Sequence, residues 1–207
     1  MKVKKINLKI LVLTVLALTT FNSTIMAQKE KKHKEIKLVR TSEVINVSTD
    51  SLWEIVGPGF QHIGIWNRNI DHATGSGDGE FEGAGCSERV CEIATKGYSK
   101  LREKLILYDI GNKEIAYKVM EGLPGFVLYA QNHWTVSEVS PNKSVVKMDI
   151  TMHVTPFIGT IMGSIMKKQF DKAIAQAFED LIIYAETGEI SEAKKARIEE
   201  LENKSKK

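Results

Sequence analysis

The chain has 207 residues, 29 Lys and Arg against 26 Asp and Glu, and 43% apolar composition. That length supports one domain with a sizeable core plus extensions. The near balance of charge excludes the strongly basic footprint expected of a nucleic-acid-binding protein.

Residues 1–27, "MKVKKINLKILVLTVLALTTFNSTIMA", stand apart from the fold. Lys2, Lys4, Lys5 and Lys9 precede an apolar run from Ile10 to Leu18, and Ile25-Met26-Ala27 ends in a small residue. This is the order of a secretory signal cleaved after Ala27, so an exported protein, periplasmic or secreted, is expected. The apolar run is nearer to about ten residues than the roughly twenty of a spanning helix, so no stable membrane span is expected. Removing the segment takes four lysines from 29, leaving 25 basic residues against 26 acidic and a net charge of −1. Residues 28–35 then read as a basic, solvated linker.

Cys86 and Cys91 both fall in the part expected to be exported, where a disulfide persists. On one straight strand they would sit about 16 Å apart on opposite faces. A turn between them would permit a bond, and the spacing leaves bonded and free thiols equally open. No further ligands at metal-site spacing accompany them, so neither a metal nor a cofactor is expected.

Residues 36–47 suit a strand. In "STDSLWEIVG", Ser48, Thr49 or Asp50 can cap a helix whose apolar stripe is Leu52, Trp53, Ile55 and Val56, with Gly57-Pro58-Gly59 as its stop. The stretch "FQHIGIWNRNIDHATGSGDGEFEGAG" predicts a further helical turn and then a glycine-rich mobile connection. Five strand-like runs follow, at 84–94, 98–108, 113–120, 126–139 and 144–155, divided by Lys96-Gly97, Gly111-Asn112, the segment "EGLPG" and Pro141-Asn142. Short turns between consecutive strands make an antiparallel meander, and with the first strand the sheet has about six strands.

From about Phe157 to Thr187 the period becomes helical, with Ile158, Ile161, Met162, Ile165, Met166, Phe170, Ala173, Ile174, Ala177, Leu181 and Tyr184 at three- and four-residue steps. Gly188 is the expected stop. Residues 188–207 are charged, with little to bury beyond Ile198 and Leu201, and read as a tail or a frayed helix. The fold class is α+β: a curved antiparallel sheet around a long C-terminal helix, with short helices after the first strand.

Alternation places Val146, Met148, Ile150, Met152 and Val154 on the inner face of the last strand, Leu128, Ala130, Asn132, Trp134 and Val136 on that of its neighbour, and Leu101, Glu103, Leu105 and Leu107 on a third. Glu103 and Asn132 do not belong in a dry core. Glu103 is either one half of a structural ion pair or a polar anchor inside an apolar cavity. Met148, Met152, Met162 and Met166 are adaptable side chains suited to lining such a cavity. In "MEGLPGFV", Leu123 and Pro124 occupy a loop where polar residues are easier to solvate, so Leu123 folds onto the core or closes over a ligand. The histidines His62, His72, His133 and His153 are scattered and form no nucleophile or metal arrangement.

The ordered segments "DSLWEIVGPGFQHIGIWNRNI", "GYSKLREKLILYD", "AYKVMEGLPGFVLYAQNHWTV" and the terminal helix, together spanning about 36–187, resemble the START and polyketide cyclase superfamily, which also contains the birch-pollen allergen fold. The resemblance implies a helix-grip fold with an apolar cavity, and "EGLPG" resembles that family's gate loop. It implies a hydrophobic small-molecule partner, whether lipid, sterol-like or aromatic, with Trp66, Tyr117, Trp134 and Phe170 beside the inner-face residues above. It also implies two alternatives: a cyclase or dehydratase using Glu103 as acid or base, and a protein-interaction module using the charged ends.

Overall fold

The computed structural model describes residues 32–94 and 100–206. The expected signal and cleavage site, the first half of the linker and the Lys96-Gly97 turn lie outside the described residues. In chain order the elements are β1 (Lys34–Thr41), α1 (Thr49–Val56), a 3-10 turn (Pro58–His62), α2 (Ile63–Trp66), β2 (Ile70–Ser76), β3 (Glu88–Ile93), β4 (Lys100–Asp109), β5 (Glu114–Glu121), β6 (Val127–Ser140), β7 (Lys143–Val154), α3 (Pro156–Thr187) and α4 (Glu192–Ser205). The strands form one antiparallel sheet in the order β1-β7-β6-β5-β4-β3-β2. With the long helix α3 against it, this is the helix-grip fold.

Among the described residues the sheet has seven strands, one more than the sequence reading. The addition is β2, whose sequence IDHATGS was read as part of a mobile connection. It is an edge strand, paired only with β3, and none of its residues is fully buried. A strand that buries no face has no apolar alternation to betray it.

Local chemistry accounts for the helix ends. Ser48 caps α1 by accepting from Ser51 N at 3.1 Å. Helix α3 starts with Pro156 at its first position and stops at Gly188, whose φ of 74° is left-handed and whose N–H reaches Tyr184 O at 2.9 Å.

The two halves of α3 behave differently. Ile174, Ala177, Phe178 and Leu181 are buried against the sheet, whereas Phe157, Ile161 and Ile165 are exposed. The stripe read from the sequence is therefore wider than the face that packs. At the N-terminal end the helix lies over the β1–β7 edge, where Gly159 sits against Val154 and Lys34 with no room for a side chain.

A second register difference sits in β4. Its pairing with β5 slips between Leu105 and Leu107, so Tyr108 is buried where alternation from Glu103 and Leu105 points to Leu107. Leu128, also assigned inward, is 39% exposed, next to a slip between β6 and β7. A bulge reverses the faces beyond it, which strict alternation cannot foresee.

The charged C-terminus docks rather than fraying. Ser191 caps α4 and also donates to Asp180 of α3, which is fully buried. Asp180 accepts further from the backbone N–H and guanidinium of Arg68. Lys194 is 1% exposed and its ammonium donates to the carbonyls of Asn67 and Ile70 at 3.2 and 2.6 Å. Burial lowers the Lys194 pKa, opposed by the charges of Asp71 and Asp180. Arg197 grips Asp71 with two parallel bonds of 2.7 and 2.6 Å. No helix among the described residues is long and apolar enough to cross a membrane.

Cys86 and Cys91 are both free and buried. Cys86 precedes β3 and only Cys91 lies on it. Burial pushes the Cys91 thiol up to about 12 and raises that of Cys86 too.

Two outcomes are expected. A thiol reagent should count two thiols in denaturant and almost none within minutes in native buffer; zero in both would mean a disulfide. Asp180→Ala should cost about 1–3 kcal/mol in urea unfolding, since it removes the buried acceptor of Ser191 and of the Arg68 backbone N–H and leaves the Arg68 guanidinium with Glu179 alone; a loss below about 0.5 kcal/mol would remove Asp180 as the anchor of this end.

Candidate functional site: a cavity between sheet and helix

Where the N-terminal half of α3 departs from the sheet centre, a cavity of about 360 Å³ remains, within the size range of small-molecule sites. Its floor is the inner face of β4 to β7, including Glu103, Tyr117, Val119, Asn132, Ile150 and Met152. Met166, Gln169, Phe170 and Ala173 of α3 face it from the other side. The loop between β5 and β6 supplies Gly122, Leu123, Pro124 and Phe126. Leu123 packs half-buried against the core cluster.

The loop is held more firmly than its glycines suggest. Gly122 has φ 91°, and a Cβ there would lie 2.0 Å from the carbonyl oxygen of Lys100. Glycine is required here for close packing, not for movement. Gly125 faces open space, and Val127 N closes a turn on Pro124 O at 2.8 Å.

Glu103 is paired and also lines the cavity. Its cross-strand neighbour is Arg89, whose Nε donates to Glu103 Oε2 at 2.6 Å. Arg89 is 3% exposed; its Nη1 donates to Phe60 O at 2.6 Å, and its guanidinium stacks 3.9 Å from the Phe60 ring centre and 4.6 Å from that of Tyr117. Burial works against this cation, but the charge and hydrogen bond of Glu103, with Cys91 and Tyr117, together outweigh it and the Arg89 pKa is raised. The Cys91 thiol also points at Glu103 Oε2, 3.6 Å away. Tyr117 is pushed up to about 12 by burial, with Arg89 opposing, so its phenol keeps its proton. That hydroxyl accepts from Asn132 Nδ2 at 3.0 Å. Asn132 Oδ1 is buried without a hydrogen-bond partner.

Of the residues assigned to ligand from the sequence, Glu103, Tyr117, Leu123, Pro124, Asn132, Ile150, Met152, Met166 and Phe170 come together around this cavity. Five do not. Leu105 and Met148 are 2% and 3% exposed in the dry core. Trp66 and Trp134 line a separate void of about 10 Å³, too small for an organic ligand. Trp134 meets Phe178 edge-on at 6.2 Å, so the packed half of α3 fills this end of the sheet. Met162 is 39% exposed on the unpacked half.

Arg89 was the important omission. In ERVCEI it shares a face with buried Cys91 while Glu88 and Glu92 share the other. That alternation is the signal that places an arginine inward, opposite the inward glutamate. Among the described residues no group of three or more His, Cys, Asp or Glu is placed to hold a metal. His133 and His153 instead meet Glu114 and Glu35 at 3.2 and 3.6 Å.

Solved structures share this architecture. Norcoclaurine synthase from Thalictrum flavum aligns with a TM-score of 0.57 at 19% identity, covering 73% of this chain and 88% of that one. The major latex-like protein 151 of Panax ginseng gives 0.57 at 17%, covering 73% and 97%. A START superfamily protein from Mycobacterium smegmatis gives 0.50 at 15%, covering 72% and 99%. These likenesses are of fold. No curated protein sequence is a significant match. Residues 37–186 match the family described as polyketide cyclase / dehydrase and lipid transport, and the chain belongs to that family.

Proposed function

We propose that the protein binds and carries a hydrophobic small molecule, a lipid, sterol-like or aromatic compound, in the space between the sheet and α3. The observation that carries this reading is the cavity itself: about 360 Å³, walled mainly by apolar side chains and roofed by the Leu123-Pro124 loop. In a protein without a ligand the same apolar surface would be expected to close, because filling such a space recovers packing energy. Leu123 acts as the gate, with the turn at Gly125 as the part free to move. The carrier works outside the cytoplasm, a reading supported by the lysine-rich and apolar order of residues 1–27.

One observation favours a second reading. A carboxylate and a protonated phenol, Glu103 and Tyr117, both face the cavity, which is a minimal acid–base set for cyclisation or dehydration of a carbonyl compound. Against it, Glu103 Oε2 already serves Arg89.

Titration with a neutral fluorescent apolar probe separates the roles. Wild type should bind one equivalent. Gly122→Ala should weaken binding at least fivefold and lower stability, because the new methyl meets the Lys100 carbonyl, while Gly125→Ala should stay within twofold. Equal affinity for all three proteins would remove the loop from the function. Glu103→Gln should cost about 3 kcal/mol of stability by stranding Arg89, with probe affinity changed less than threefold. A Glu103→Gln protein of unchanged stability that loses turnover of a carbonyl substrate would establish the enzyme instead.

A further inference from the structure

The first turns of α3 are apolar on more sides than the sheet can cover. From Pro156 to Met166 the sequence holds no charged residue. Met166 and, one turn on, Phe170 face the cavity. On the other side Phe157, Ile161 and Ile165, at steps of four, form one row, and each is more than half exposed. A helix that is apolar all round is normally covered all round. A contiguous row of exposed apolar side chains marks an interaction site. The uncharged run is about half of the roughly twenty residues that cross a bilayer, so whatever covers the row is met at a surface.

The charge that borders this row is positive at both ends. Lys168 and Lys172 continue the same helical face at steps of three and four, and both are exposed. Asp171, the acid between them, is taken by Arg40. At the N-terminal end of the helix, β1 begins with Lys34, whose side chain lies against Gly159. The stretch that leads into β1, QKEKKHK at 28–34, holds four lysines against one glutamate. A second copy of the chain laid on the row in either direction would set lysine against lysine, which is unfavourable. An anionic lipid surface satisfies both features, because apolar side chains enter the acyl boundary while lysines stay among the head groups.

We propose that this face of α3 is a docking surface for an anionic lipid bilayer. Phe157, Ile161 and Ile165 enter the interface, and Lys168, Lys172 and the basic stretch before β1 hold the head groups. The cavity lies on the opposite side of the same helix half. One helix diameter, about 10 Å, then separates it from the lipid. This surface goes beyond the carrier reading and does not require the cavity to be occupied.

The test places an environment-sensitive fluorophore on the row. Ser164 is exposed at its edge, and the two native cysteines are buried, so an NBD label on Ser164→Cys is confined to that position. The labelled full chain is titrated with vesicles of phosphatidylcholine containing one-third phosphatidylglycerol, and with phosphatidylcholine alone. Emission should rise at least threefold on the anionic vesicles, with an affinity at least tenfold above that for the neutral ones. Ile161→Asp should weaken binding at least tenfold. Lys168→Glu with Lys172→Glu should cut the anionic preference to less than threefold. All three positions are exposed, and circular dichroism verifies that the variants fold. Because the reporter sits on the row, attachment through residues 1–27 alone leaves emission unchanged. A folded wild type without an emission change, or an equal change with Ile161→Asp, overturns the proposal. So does a rise without vesicles that tracks a doubling of mass, which assigns the face to a second copy. Equal affinity for the two vesicle types overturns the role of the lysines. None of these results depends on a ligand in the cavity, so the carrier reading stands or falls separately.

Discussion

Helix α3 is fastened to the sheet at one end only, and the cavity follows from that. Its C-terminal half presses Ile174, Phe178 and Leu181 into the core, and fully buried Asp180 ties the same end to Arg68 and Ser191. Its N-terminal half carries Gly159 and Gly163, sits over the β1–β7 edge and leaves the centre of the sheet uncovered. A helix of 32 residues, about 48 Å long, is longer than a single flat contact with a twisted sheet can accommodate. The space left over is bounded by the β5–β6 loop.

The polar groups inside are arranged so that charge is spent internally. Arg89 and Glu103 neutralise each other across adjacent strands, and the aromatic faces of Phe60 and Tyr117 shield the cation. Tyr117 then passes the line of contacts to Asn132, where it stops at an unpaired carbonyl oxygen. The buried pair fixes the register of β3 against β4 at the cavity wall and keeps the phenol in place. The family contains both carriers and enzymes by its description, and one fold supports both chemistries. Among the described residues the carboxylate that lines the cavity is Glu103, and its Oε2 is engaged by Arg89.

Much of this was legible in the chain because the informative segments bury one clean face. VVKMDITMHV alternates so plainly that the inner row of β7 could be assigned residue by residue, and of the three residues in that row assigned to ligand only Met148 proved to be core rather than cavity wall. Leu123 and Pro124 stood out as apolar residues in a loop, and they do face the cavity. Three kinds of information were not available from pattern. The edge strand β2 buries no face and so has no period. The slips in β4 and β6 are properties of pairing between strands, not of either strand alone. Helix α4 looked too polar to dock, because its contribution is Lys194 under backbone carbonyls and Arg197 on Asp71, contacts that depend on where distant segments end. The assignment of Trp66, Trp134 and Leu105 to ligand failed for a related reason: periodicity shows which side is inward, but not where along α3 the helix leaves the sheet.

The most direct test of a hydrophobic-ligand cavity is to purify the folded protein, extract it under denaturing conditions and identify by mass spectrometry what it releases. The account predicts an apolar molecule approaching one equivalent per chain, which Gly122→Ala retains less well. A folded wild-type protein that releases nothing and takes up no member of a neutral lipid and aromatic panel would contradict it.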